Sequence, residues 1–302
     1  MSKTTVFLYP GLNGFIKEKD RFKYIELPEV KDRLQQVQDI FKTHNDIFNY
    51  REFLSQPVEV IYSVENISKT ATMIVATQTG ISDYLINRGV HPDMTLGCSL
   101  GDLARGVMSG VCRFDDTIHG YIRFSEQLSG VEKIGANVGV SKLDGLAFDK
   151  SELDYIESFD LDISVMTPKF LNIGGRNESL TELQKYAQGQ SWRFVKILDY
   201  PAHSKHIKPY VDAAYLEVKD VEVQRPKYRT FSSISCRELL DPEDLKSEVI
   251  MNMTHPLRWG EAVQLVAAQN ENVEFINIGP CQSLYKMYGD LGLSNQLSEI
   301  EF

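Results

Sequence analysis

The chain has 302 residues, 42% of them hydrophobic and 25% charged, with a formal net charge of −10. That length and balance describe an ordinary globular protein with room for a large core, as one domain with an insertion or as two. The acidic balance excludes a broad nucleic-acid-binding face. No apolar run approaches a membrane span, and Met1-Ser-Lys-Thr-Thr leads into a strand with no signal-peptide core, so the expected compartment is the cytoplasm.

Thr4-Thr5-Val6-Phe7-Leu8-Tyr9 reads as a buried strand, broken by Pro10-Gly11-Leu12-Asn13-Gly14. A glycine-bearing loop after a first strand falls at the carboxyl edge of an α/β sheet, where ligand sites form. Helical spacing runs from Glu29 to Phe53, interrupted near His44 to Asp46, and again from Val64 to Leu85, closing at Gly89. A short strand then leads to Ser99, and Asp115 or Asp116 is placed to cap a helix from Thr117 to Leu128.

From there the pattern is strand (Ile134 to Val140), helix (Asp149 to Phe159), two strands (Leu161 to Met166, Phe170 to Ile173), helix (Ser179 to Ala187) and strand (Trp192 to Leu198). This β-α-β-β-α-β order is that of a ferredoxin-like unit. A helix follows Tyr200-Pro201-Ala202-His203-Ser204 to about Leu216, Arg229 to Ser235 reads as a strand, and Asp241-Pro242-Glu243 is a strong helix start. Trp259 to Gln269 is amphipathic, Val273 to Ile278 is a last strand, a final helix passes through Leu284 and Met287, and the tail from Ser294 to Phe302 reads as polar and loose. Cys98, Cys112, Cys236 and Cys281 are scattered and read as reduced thiols; no metal is implied.

The expectation is an α/β protein. An α/β-hydrolase-like large domain with a mostly parallel sheet spans residues 1–131 and 200–302, and a ferredoxin-like α+β small subdomain is inserted at 132–199.

Gly97-Cys98-Ser99-Leu100-Gly101 stands between a strand and a helix, with apolar residues continuing at Leu103, Val107 and Val111. A turn this sharp strains its central residue and needs glycine on either side, which is the logic of the nucleophile elbow. It presents the Ser99 hydroxyl at a helix N-terminus, where free amides and the dipole favour an oxyanion and the Leu100 N–H is the natural first donor. The five-residue pattern alone is common, and its strand–helix placement adds weight.

The order of landmarks resembles the malonyl-CoA:acyl-carrier-protein transacylases, the stand-alone acyltransferases of fatty-acid and polyketide synthesis. The resemblance rests on Val6-Phe7-Leu8-Tyr9-Pro10-Gly11, Gly97-Cys98-Ser99-Leu100-Gly101-Asp102, Pro201-Ala202-His203-Ser204, Pro256-Leu257-Arg258-Trp259 and Ile278-Gly279-Pro280, spread over nearly the whole chain. It implies a cytoplasmic enzyme with Ser99 as nucleophile and His203 as general base, a ping-pong Ser-His dyad whose histidine is oriented by backbone carbonyls from the loop around His255 to Trp259. A serine hydroxyl cannot ionise alone at pH 7, so an imidazole must take its proton and return it to the leaving thiol. His206, three residues on, is the rival base; motif register favours His203. His44, His91 and His119 read as surface or packing residues.

Three positions depart from the family pattern. The Gln of Gly-Gln-Gly is Leu12, whose backbone N–H can still serve the oxyanion hole. The histidine before the nucleophile is Cys98, a pocket position where a thiol is either acylated or, if buried, inert. The arginine that grips malonyl's carboxylate falls on Phe124, with Arg123 one residue and about 100° away. Malonyl transfer would then require Arg123 to substitute, because an unpaired buried carboxylate costs several kcal/mol.

The resemblance so amended implies an acyltransferase acting on non-carboxylated thioesters of CoA or acyl-carrier-protein phosphopantetheine, in polyketide biosynthesis. The alternatives are an acyl-carrier-protein thioester hydrolase and a catalytically silent docking partner. No tightly bound cofactor is implied, and the enzyme is expected to be a monomer. The acidic carrier protein would meet Lys205, Lys208, Arg176 and Arg193, each of which also reads as plain surface charge.

Overall fold

The computed structural model describes residues 3–128, 134–216, 219, 221–281, 283–298 and 300. Among these the strands are β1 (Thr4–Tyr9), β2 (Met94–Gly97), β3 (Gly135–Lys142), β4 (Asp162–Thr167), β5 (Phe170–Arg176), β6 (Trp192–Leu198), β7 (Arg229–Phe231), β8 (Val273–Asn277) and β9 (Leu297–Ser298). Helices of eight residues or more are α1 (Pro28–Thr43), α2 (Ile67–Asn87), α3 (Gly101–Met108), α4 (Phe114–Glu126), α5 (Lys150–Glu157), α6 (Asn177–Gly189), α7 (Lys208–Leu216), α8 (Pro242–Thr254), α9 (Trp259–Gln269) and α10 (Ser283–Asp290).

The strands form two sheets. The larger is parallel, in the order β7-β2-β1-β8-β9. Alternation along β1 sends Phe7 and Tyr9 into one core with α1, α2 and α4, and Val6 and Leu8 into another with Trp259, Val263 and Phe275. Helix α2 is buried from Thr70 to Ser82. Its Thr77, Thr79 and Ser82 hydroxyls donate to carbonyls four residues back, which is how polar side chains are accommodated there.

The smaller sheet is antiparallel, in the order β4-β5-β3-β6, with α5 and α6 packed over Val138, Ile163, Leu171 and Ile173. Numbered within itself this is 2-3-1-4, the ferredoxin-like order. It is seated on the large domain by specific polar contacts: Asn137 Nδ2 donates to the Ala202 carbonyl at 3.0 Å, and Ser164 Oγ accepts from the Leu257 N–H at 2.9 Å. The expected subdomain boundary at 131/132 lies outside the described residues.

Several boundaries differ from those expected, each for a local reason. Helix α4 starts at Phe114 after Arg113, with no side-chain cap; Asp115 and Asp116 lie inside its first turn, where they face the positive dipole end. The strand expected from Arg229 to Ser235 stops at Phe231, because Ser232 Oγ accepts the N–H groups of Ile234 and Ser235 and turns the chain. The tail is not loose over its described part: Leu297–Ser298 pairs with β8, Ser298 Oγ donates to Glu274 at 2.7 Å, and Ile300 is buried.

Candidate active site

Strand β2 ends at Gly97 and α3 starts at Gly101, leaving three residues to reverse the chain. Ser99 takes φ of 56°, in the left-handed region that a side chain disfavours, as a nucleophile elbow requires. Both flanking glycines are forced by close approach: a Cβ on Gly101 would overlap the Tyr9 carbonyl, and one on Gly97 would overlap Asp102. The register Tyr9↔Gly97 keeps β1 and β2 level at their carboxyl ends, so the Pro10–Gly14 loop lies beside Ser99.

His203 arrives from the return of β6 to the large domain, also at positive φ, 57°. Its Nε2 is 2.8 Å from Ser99 Oγ, and its Nδ1 is 2.6 Å from the Asn252 carbonyl oxygen. A carbonyl can only accept, so Nδ1 carries the proton and Nε2 presents its lone pair to the Ser99 hydroxyl, which donates. Burial pushes the imidazole down from 6.5 to about 4, against the bond to Asn252, which pulls the other way. The ring is therefore a neutral base at pH 7.

The orienting carbonyl comes from Asn252, on the last turn of α8, and not from the loop around His255 to Trp259. The side chain of Asn252 also binds the elbow: Nδ2 donates to the Ser99 carbonyl at 3.2 Å and to Asp102 Oδ2 at 2.5 Å. One residue thus holds both the Ser99 backbone and the His203 ring. Sequence reading missed it. The available signal was the pair Glu248 and Asn252, polar residues one turn apart, beside Leu245 on the buried face of a helix.

A cavity of ≈ 200 Å³ opens at Ser99. Its walls are largely apolar, with Leu12, Leu100, Leu103, Tyr121, Phe124 and Met253 among them. Its floor carries a buried charged set that the sequence did not single out. Arg105 Nη2 lies 3.0 Å from Asp102 Oδ1, Arg105 Nη1 donates to the Phe231 carbonyl at 2.9 Å, and Ser232 Oγ donates to Glu248 Oε2 at 2.8 Å. Burial raises Asp102 above the usual carboxylate range, and burial with the nearby Asp102 charge raises Glu248 to about 7.

The other expected residues divide. Leu12, Leu100 and Phe124 line the cavity, whereas Arg123 is exposed and absent from its wall. Cys98 is not in the wall either: it is buried behind the sheet with Leu8, Leu96 and Trp259, and burial raises its thiol far above the usual value, so it is an inert core residue. His206 turns away, its Nε2 donating to the Asp160 carbonyl at 2.9 Å.

Among the bases, Lys205 pairs with Asp160 at 2.5 Å, and exposed Arg176 lies close enough to lower the same carboxyl. Lys208 pairs with Asp212 along α7 at 2.8 Å. Arg193 lies opposite Ser141, five residues along β6 from the cavity residue Leu198, and does not join them.

Residues 29–298 match the family described as acyl transferase domain. The malonyl CoA-acyl carrier protein transacylase of Bacillus subtilis (strain 168) is 20% identical over 286 residues, 93% of this chain and 87% of that one. A probable polyketide synthase 2 of Dictyostelium discoideum is 21% identical over 92% of this chain, which spans about a tenth of that protein's length. Among solved structures, the acyl-carrier-protein S-malonyltransferase of Burkholderia pseudomallei 1710b superposes with a TM-score of 0.84 at 17% identity, covering 98% of this chain and 96% of that one. A type II PKS acyl-carrier protein in complex with its malonyl-transacylase gives 0.83 at 17% identity over 98% and 94%.

Proposed function

Since the chain belongs to the acyl transferase domain family, we propose that it moves a non-carboxylated acyl group between thioesters of CoA or an acyl carrier protein, in cytoplasmic polyketide synthesis. Ser99 Oγ attacks the thioester carbon while its proton passes to His203 Nε2, and the carbonyl oxygen becomes an oxyanion facing the Leu100 and Leu12 N–H groups. Collapse breaks the C–S bond, and the leaving thiolate takes the proton from His203, leaving an ester on Ser99. An incoming phosphopantetheine thiol reverses these steps and carries the acyl group away. The dyad at 2.8 Å supports this sequence.

The observation that carries the substrate reading is the chemistry of the pocket wall. Phe124 lines the cavity where a carboxylate clamp would be needed, and Arg123 points to solvent. At its buried end the cation, Arg105, is already offset by Asp102, with Glu248 nearby, while Lys219 and Lys246 on the wall reach solvent. A malonyl carboxylate would meet two acids and one occupied base, at a cost of several kcal/mol. The Bacillus and Burkholderia proteins are named for malonyl transfer, and a malonyl-transacylase of the same fold is in complex with its acyl-carrier protein; that likeness supports the carrier as partner here. Arg176 and Lys205 are best placed to meet it, since exposed ion pairs of ~0–1 kcal/mol exchange partners readily.

The test is to incubate the protein with acetyl, longer acyl and malonyl thioesters and follow the mass of the Ser99 peptide. Uncharged donors should label Ser99, malonyl should label it at least ~10²-fold more slowly, and Ser99→Ala should abolish every adduct. Efficient malonyl labelling would overturn the substrate reading. Rapid release of free acid in place of transfer to a carrier would make water the acceptor and the enzyme a hydrolase.

A further inference from the structure

Two buried polar atoms on residues that line the cavity have neither a hydrogen-bond nor an ion-pair partner, and a third, Asp102 Oδ1, has only its ion pair with Arg105. Glu248 is 1% exposed; Ser232 occupies its Oε2, but Oε1 has no hydrogen-bond partner. Arg105 is 3% exposed; its two terminal nitrogens are engaged, but its Nε–H has no acceptor. Both side chains line the cavity that opens at Ser99. They are near enough for the Arg105 charge to act on Glu248, yet among the described residues no ion pair within 4.0 Å joins them. The remaining charges on the wall, Asp116, Lys219 and Lys246, reach solvent and are screened there.

Each orphaned buried group carries an uncompensated desolvation cost while unpaired. A hydrocarbon chain laid over the floor would leave both costs in place. A carboxylate only accepts, and would face Asp102 and Glu248. An ammonium only donates, and would leave the Arg105 Nε–H without an acceptor. A neutral group that donates to Glu248 Oε1 and accepts from Arg105 Nε satisfies both; an alcohol and an amide have that property.

We propose that the acyl group taken up by Ser99 carries a neutral alcohol or amide, held between Arg105 and Glu248. This rests on the acyl-Ser99 reading above and adds the class of acyl group. Glu248 lies four residues, about 6 Å of helix axis, before Asn252, whose side chain binds the Ser99 carbonyl. The polar substituent therefore sits several bonds from the thioester carbon, with an apolar stretch between.

The experiment uses four pantetheine thioesters of matched length ending in methyl, hydroxyl, primary amide and ammonium, with Ser99 acylation rates read by intact mass. The hydroxyl or amide donor should exceed the methyl donor by at least ~tenfold, the discrimination of one satisfied buried pair. Glu248→Leu should bring that ratio to one or below, and Glu248→Gln, which keeps an acceptor, should retain part of it. A methyl donor as fast as both polar ones in the wild-type protein overturns the proposal whether or not the variants fold, and so does an ammonium donor that is fastest. If none of the four acylates Ser99, the functional reading fails; if all do so equally, only this inference fails.

Discussion

As the proposed base, His203 combines two requirements that conflict in water: it must be neutral to accept a proton, and fixed to accept it from one oxygen. Burial meets the first, holding its pKa near 4, and the Asn252 carbonyl meets the second by fixing the tautomer. Protonation would remove the Nε2 lone pair, so activity is lost as pH falls through the folded-state value. We expect kcat/KM for acylation to stay flat from neutrality to about pH 5 and to be half-lost near pH 4; an acid limb centred near 6.5 would show an imidazole open to water. Asn252 gives a separate test, because truncating its side chain leaves the carbonyl that orients His203. Asn252→Ala removes only the bonds to Ser99 O and Asp102. It should lower kcat by ~10–10²-fold through misplacement of the elbow while changing KM little. Ser99 and His203 were legible in the sequence because each sits in a short contiguous motif. Asn252 was not, because its role comes from a backbone oxygen, which every residue possesses.

At the level of elements, local chemistry sets most boundaries. Strands β1 and β6 and helix α9 begin and end where the sequence pattern places them. Helix α8 starts at Pro242 behind Asp241, whose side chain accepts the Asp244 N–H at 2.9 Å. Since α8 carries both Glu248 and Asn252, its stability bears on the site. Asp241→Ala should cost ~1 kcal/mol, seen as a lower denaturation midpoint with an unchanged denaturant slope. The elements that the pattern misjudged fail for equally local reasons that hydropathy does not record. β7 is cut short by a serine hydroxyl competing for backbone N–H groups, and the tail is recruited as an edge strand by pairing with β8, a partner twenty residues earlier in the chain.

The whole molecule places His203 by way of the small sheet. Asn137 on β3 holds the Ala202 carbonyl one residue before His203, and β5 packs so closely that a Cβ on Gly174 would stand 2.5 Å from that same oxygen. The inserted unit is thus a support for the loop that carries His203. Asn137→Ala should lower kcat by ~tenfold with a small change in KM and some loss of thermal stability; an unchanged kcat in a folded variant would confine Asn137 to stability. By itself the sequence determined the two-sheet plan, the elbow and the motif histidine, because periodicity, glycine sites and contiguous motifs are properties of neighbours along the chain. The one-residue step from Phe124 to Arg123 was legible too, whereas only the tertiary structure decided that Cys98 faces the core and that Arg105, Glu248 and Asn252 enter the site. Which side of a turn or helix meets a cavity depends on what packs against it, and some of those partners are remote in the chain, as Phe231 is from Arg105 and Ser99 from Asn252.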